Sequence, residues 1–305
     1  MDGDRPGRGD DADAGSVDSP ALRTVETARA LATQIKPPFM LPAVAAAGFG
    51  ALLAPSVAPL PAGLHGCCVA LALYVAHLRD ERVDAHVRGE EAPSVPARLL
   101  PAATVVAVLA FALSAAGLWV AGAGPLGVGL TLPPLALGLL HAPYLDTNPV
   151  AGSADYPVAI GFVIVGGYAV QTGSVPGWLV LVALPFVLVL AGATVALDRL
   201  DRDFDARIGK RTVPVVLGDA RAAGASAALV ACGGVSLLAF ALLGSLPRTT
   251  AVAGIVPLAA AALSVRARPT RAVTVQMVAA YPFAVALFLA TCLGVPCAVA
   301  RSLGW

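Results

Sequence analysis

Apolar residues run through this chain in long blocks, parted by short polar stretches that often carry Pro or Gly. Blocks of this length suit a hydrocarbon layer, which a helix of ~20 apolar residues can cross. The pattern predicts nine such helices, near 38–57, 61–78, 99–121, 124–143, 156–173, 177–197, 222–244, 250–265 and 274–298. The block at 250–265 is the shortest of the nine. Residues 1–22 follow a different pattern: they are rich in Asp and Gly, have no aromatic residue and lack the apolar stretch of a signal peptide. They are expected to form a disordered cytoplasmic tail ahead of one transmembrane domain over 23–305. The predicted fold class is all-α, a polytopic bundle in the bilayer.

The charged positions test this division. All of the 20 Lys and Arg residues except Arg248 and Arg301 fall in the head or in loops after even-numbered spans. Such a bias places those segments in the cytoplasm, with the chain crossing the cell membrane many times. The chain is 58% hydrophobic and 13% charged, whereas soluble domains carry ~25% charged residues. A net charge of +1 gives no pull toward nucleic acid. Most of the five cysteines (Cys67, Cys68, Cys232, Cys292, Cys297) lie in apolar runs without metal-ligand spacing, so buried thiols are expected.

Two polar stretches stand out. One runs from His77 through Asp80 to Asp84, the other from Asp198 through Asp201 to Asp205. A single shift along the chain lays Asp80 on Asp201, Asp84 on Asp205 and Ala85 on Ala206, which points to an old duplication. Positions three and four apart share a helix face, so each set forms an acidic stripe, while Asp203 falls off the second stripe. Like charges at this spacing repel, and carboxylates beside a bilayer are costly unless a counter-charge is present. Mg²⁺ takes oxygen ligands, commonly one or two carboxylates plus substrate phosphates. Two matched sets in one compartment therefore suit a divalent cation and a polyphosphate, with nearby Arg79, Arg82, Arg202, Lys210 and Arg211 to balance phosphate charge. Exposed ion pairs such as Asp198 with Arg202 are the plainer reading of either stripe taken alone.

The stretch Asp198–Gly218 reads DxxDxxxDxxxGKRTxPVVLG and resembles the second aspartate-rich motif of the UbiA superfamily of intramembrane prenyltransferases. The layout of nine spans with cytosolic loops after the second and sixth resembles that family over residues ~36–298. The resemblance implies a helical bundle around a cavity open to lipid, holding a polyprenyl diphosphate against Mg²⁺ and passing its tail to a lipophilic acceptor. It casts Asp80, Asp84, Asp198, Asp201 and Asp205 as catalytic metal ligands, and Lys210, Arg211, Arg82 and His77 as partners of the diphosphate. Two departures are visible. Ala76 stands where the first motif usually opens with Asn, with His77 beside it. The fourth loop, Tyr144 to Pro149, has no Lys or Arg but carries Asp146 and Asn148, expected to form an Asx turn before Pro149. Tyr74, Tyr156, Tyr168, Gln171, Gln276 and Tyr281 are candidates to line the chamber, and His65 and His141 have no assigned role.

Three other functions compete. An inactive paralogue that only binds prenyl lipids would explain the altered first motif. A CDP-alcohol phosphotransferase would need an Asp-Gly-x-x-Ala-Arg element, which is absent. A transporter would more often carry charge at mid-span, where this chain has none.

Overall fold

The computed structural model describes residues 20–302, and all the regular structure among them is helical. The expected tail therefore lies, up to residue 19, outside the described residues. The helices are α1 (Pro20–Ala32), α2 (Pro37–Leu52), α3 (Pro59–Asp80), α4 (Leu100–Val120), α5 (Gly124–Gly129), α6 (Leu132–Leu140), α7 (Pro149–Thr172), α8 (Gly177–Ile208), α9 (Val213–Leu217), α10 (Asp219–Leu242), α11 (Thr250–Ala253), α12 (Ile255–Ser264), α13 (Pro269–Cys292) and α14 (Ala298–Ser302). A wider π-helical turn extends α3 over Glu81–Arg88, whereas the chain kinks after α6, where Ala142 is extended (φ −101°, ψ 132°) within His141–Leu145. Pro stands at or beside the first position of α2, α3, α4, α6, α7 and α13, where its missing N–H costs nothing.

Among the described residues, seven helical segments are long and apolar enough to cross a membrane, or eight if the bent pair α1 and α2 counts as one span. The apolar pattern predicts nine. The difference lies in two places. The first expected span, 38–57, ends at Leu52 and meets α1 at a 66° bend. The eighth is the apolar helical stretch Thr250–Ser264, α11 and α12 together, which is too short for a full crossing. A run of apolar residues marks such a block, but it does not report where the backbone breaks.

α2, α3, α6, α7, α8 and α13 surround a cavity, while α4, α10 and α12 pack outside that ring. Large apolar side chains such as Val120, Leu113 and Leu242 face outward, as lipid-facing positions should. Small residues let α2 and α7 touch backbone to backbone. A Cβ at Gly167 would meet the Ala47 carbonyl oxygen, and one at Gly50 the Ile164 carbonyl oxygen. Buried polar groups are paired across helices: Gln276 Nε2 donates to Ser226 Oγ at 3.0 Å and Ser264 Oγ at 2.9 Å. Ser226 Oγ in turn donates to the Gly192 carbonyl at 2.7 Å.

The cysteine expectation needs correction. Cys292 and Cys297 form a disulfide, and only Cys68 of the remaining three is buried, Cys67 and Cys232 being exposed. The Cys292–Cys297 bond joins the end of α13 to the start of α14, close in space although neither residue sits in a metal-like motif. Its neighbour Ala298 donates to the Ala54 carbonyl, at the end of α2 remote from Lys36.

Filling the α2–α7 contact tests this packing. Gly167→Val should destabilise the protein by about 1–3 kcal/mol, the usual cost of overpacking. Gly224→Ala, whose new methyl meets nothing within 4 Å, should not lower stability. Thermal unfolding in detergent reads both.

Candidate active site

The acidic ends of α3 and α8 are where two apolar rods leave the bilayer. α8 has 32 residues, about 48 Å at 1.5 Å per residue, against a hydrocarbon core of ~30 Å. Its final turns must therefore reach water or headgroups, and those turns carry Asp198, Asp201 and Asp205. Gly209, with φ of 80°, ends the helix, and Lys210 N–H donates back to the Asp205 carbonyl at 2.9 Å. The next turn supplies Thr212, whose hydroxyl donates to Asp205 Oδ2 at 3.1 Å. Ser153 of α7 donates to Asp198 Oδ2 at 3.4 Å.

On the other rod, Asp80 closes α3 and Asp84 lies within the π-helical turn. Glu81 is buried between them and holds the following loop. It accepts from Ser94 N–H at 2.6 Å, Val95 N–H at 2.9 Å and Gln34 Nε2 at 3.0 Å. Gln34 also ties the entry to α2 down, since its carbonyl meets His77 Nδ1 at 2.9 Å.

The two rods meet at one cavity of about 1330 Å³. Its polar end is lined by Asp80, Glu90, His141, Asp146, Asp155, Asp198, Asp201, Asp205 and Lys210; Phe49, Val163, Ile164, Phe186 and Phe288 belong to its apolar wall. Lys210 Nζ lies 3.9 Å from Asp84 Oδ1, so the residue that follows the α8 stripe reaches an acid of the α3 stripe. It bonds Glu90 Oε2 at 2.9 Å. Burial lowers the Lys210 pKa, but the Glu90 hydrogen bond and the carboxylates of Asp84, Glu90 and Asp146 outweigh it and raise the value. Lys210 is thus a cation throughout the neutral range.

The expected residues divide as follows. Asp80, Asp198, Asp201, Asp205, Lys210 and His77 line the cavity. Asp84 stands behind it, paired with Arg88 at 2.9 Å. Arg82 and Arg211 are exposed and do not line it, and Asp203 points to solvent with 94% of its side chain free. Arg199 is buried and pairs with Asp219 at 2.8 Å, while Arg202 sits 3.7 Å from Asp203 and not on Asp198. Of the chamber candidates, Tyr156 and Tyr281 line the cavity and Tyr74, Tyr168, Gln171 and Gln276 do not. The Asx turn forms at Asn148, which accepts from Val150 and Ala151 N–H, whereas Asp146 is bound by Arg88.

Sequence reasoning passes over a second group. His141 sits at the break after α6, held there as Arg79 Nη2 donates to the Ala142 carbonyl at 3.1 Å. Its Nδ1 bonds the buried Asp155, and its Nε2 lies 4.0 Å from Asp80 Oδ1. Asp155 falls at the predicted edge of a span, where an acid reads as loop. An ionisable pair this deep is the signal that could have found it.

Among the described residues no group of three or more His, Cys, Asp or Glu is close enough to hold a metal ion by itself. The donor chemistry nevertheless fits a hard cation with substrate oxygens completing its shell. Asp80 Oδ1 and Glu90 Oε1 are buried oxygens without a hydrogen-bond donor, and every acid at this end offers carboxylate oxygen.

A profile of the UbiA prenyltransferase family matches residues 37–288. The chain belongs to the UbiA prenyltransferase family. Solved structures share its fold. One, described as digeranylgeranylglyceryl phosphate synthase, aligns with a TM-score of 0.69 at 15% identity, covering 89% of this chain and 99% of its own. A UbiA homologue from Archaeoglobus fulgidus bound to DMAPP and Mg²⁺ gives 0.62 at 17% identity, covering 88% and 99%. An apo UbiA homologue from Aeropyrum pernix K1 gives 0.63 at 18%, covering 86% and 98%. No curated protein sequence matches significantly. The all-helical, multi-pass membrane architecture is that of the family.

Glu81 makes a test of how the site is held. Glu81→Ala leaves the Ser94 and Val95 amides without their acceptor, which costs ~1–3 kcal/mol and should speed their hydrogen exchange roughly tenfold or more. Unchanged exchange would show that something else holds the 89–98 loop.

Proposed function

We propose that this protein transfers a polyprenyl group from its diphosphate to a lipophilic acceptor with the help of Mg²⁺. One observation carries the reading: two acidic stripes and Lys210 meet at the polar end of a cavity whose remaining wall is apolar. An isoprenoid diphosphate has the same two-ended character. Its tail gains roughly 0.8 kcal/mol per buried methylene, which brings the head to the acids. The Archaeoglobus homologue, bound to DMAPP and Mg²⁺, supports a prenyl diphosphate and this cation as the ligands.

The allylic C–O bond breaks and its electron pair leaves with the diphosphate. Lys210 lies where that negative charge grows, and a fixed charge in a site poor in water stabilises it more than one in bulk. When bound, Mg²⁺ supplies Lewis acidity to the leaving oxygens, and Asp80, Asp84, Asp198, Asp201 and Asp205 are the residues that would hold it. Phe49, Phe186 and Phe288 stack edge to face in the apolar wall and exclude water from the electron-poor carbon. An electron-rich carbon or oxygen of the acceptor then forms the new bond to that carbon and gives up a proton.

The acidic end is assigned to the cytoplasm from the Lys and Arg bias. The Cys292–Cys297 disulfide supports this, because it lies near the opposite end of α2 and disulfides persist on oxidising sides.

Membranes containing the protein, given labelled geranylgeranyl diphosphate and a lipid extract, should yield a labelled lipid. Asp201→Asn should lower that yield at least about 100-fold, as loss of a charge-stabilising group commonly does. Asp203→Asn should leave it within about twofold, since surface changes rarely matter. Label retained on the protein but never transferred would mark a lipid binder and sink the proposal.

A further inference from the structure

The densest ion pairing at the polar end of the cavity involves four residues outside both aspartate stripes, Arg88, Glu90, Asp146 and Lys210. Arg88, the last residue of the π-helical turn, grips Asp146 through its two terminal guanidinium nitrogens, Nη2 standing 3.2 Å from Oδ1 and Nη1 bonding Oδ2. It donates to Asp84 at 2.9 Å and lies 3.5 Å from Glu90. Lys210 reaches the same three acids, at 2.9 Å for Glu90, 3.8 Å for Asp146 and 3.9 Å for Asp84. Two bases and three acids thereby tie the second loop, the fourth loop and the turn after α8 together over the cavity. None of these side chains is more than 24% exposed. A charge in such a place is costly once its partner leaves. A diphosphate arriving alone would draw Arg88 and Lys210 away and strand three carboxylates. A divalent cation arriving alone would satisfy the carboxylates and strand the two bases. Only the two together can rearrange this group with every charge matched.

We propose that Asp146 and Glu90 hold Arg88 and Lys210 as a clasp across this polar end, which a diphosphate head group opens by taking over both bases while a divalent cation takes the freed acids. Arg88 then binds diphosphate, and Asp146 competes with it. This rests on the diphosphate reading of the site and names the residues that gate it. It also accounts for an acidic fourth loop: the base is delivered by the second loop and parked on the fourth.

The test is calorimetric binding of inorganic pyrophosphate to the purified full-length protein, with Mg²⁺ and with EDTA, so that no turnover is needed. In EDTA, Asp146→Asn should bind pyrophosphate at least about fivefold tighter than the parent, and the gain that Mg²⁺ brings should shrink, because the two ligands are coupled through the clasp. Arg88→Gln should weaken binding about tenfold, with Arg88→Lys recovering part of the loss, since a charge-assisted bond to phosphate is removed and then partly restored. Asp146→Ser should repeat the sign of the Asn variant if that variant folds poorly. Unchanged or weaker pyrophosphate binding by Asp146→Asn in EDTA, where no cation can use the freed acids, would overturn the clasp, as would unchanged binding by Arg88→Gln. A parent that binds no pyrophosphate under either condition would overturn the diphosphate reading itself, and the clasp with it.

Discussion

A carboxylate at the edge of a membrane cannot stay ionised without a nearby positive charge or water, and that constraint organises this molecule. α3 and α8 each end in acids that the apolar body of the helix cannot shelter. Their ends lean together at one cavity, where Lys210 and Arg88 supply the protein's own counter-charge. The acids in this arrangement outnumber the bases, and buried oxygens such as Asp80 Oδ1 lack a donor. The surplus is an invitation to further cations. A site built only for stability would have paired these groups fully or replaced them with apolar ones.

The same walls that make charge costly make it useful. Moving along the cavity from Asp201 to Phe288, the lining changes from acids to aromatic and aliphatic side chains. Charge developing at the polar end meets fixed partners that need little reorganisation, while a reactive carbon at the apolar end meets little water. The bundle holds this gradient steady by close contacts of small residues, as where Gly167 lies on the backbone of Ala47.

The acid stripes were legible because helical spacing and the GKRTxPVVLG run are local, and local patterns survive in a single sequence. Most of the apolar helices were legible for the same reason. The count of crossings was less so: α2 ends at Leu52 and meets α1 at a 66° bend, a matter of backbone path that hydropathy does not record. Arg82 and Arg211 looked as useful as Lys210 beside the motif, yet they point to solvent, since direction depends on which face of the turn meets the cavity. Pairs far apart along the chain were hidden altogether. Arg88 with Asp146, His141 with Asp155, and Cys292 with Cys297 each need the folded chain to bring two ordinary residues together.

The central claim, that both acidic stripes hold one metal-bound diphosphate, is best tested with Mn²⁺ as a paramagnetic stand-in for Mg²⁺. Bound Mn²⁺ would be counted by electron paramagnetic resonance in the presence of pyrophosphate, for the parent, Asp80→Asn and Asp201→Asn. A shared site predicts that either substitution alone removes most of the pyrophosphate-dependent Mn²⁺ signal. Full retention of that signal in one of the two variants would show that the stripes act separately and would contradict the account.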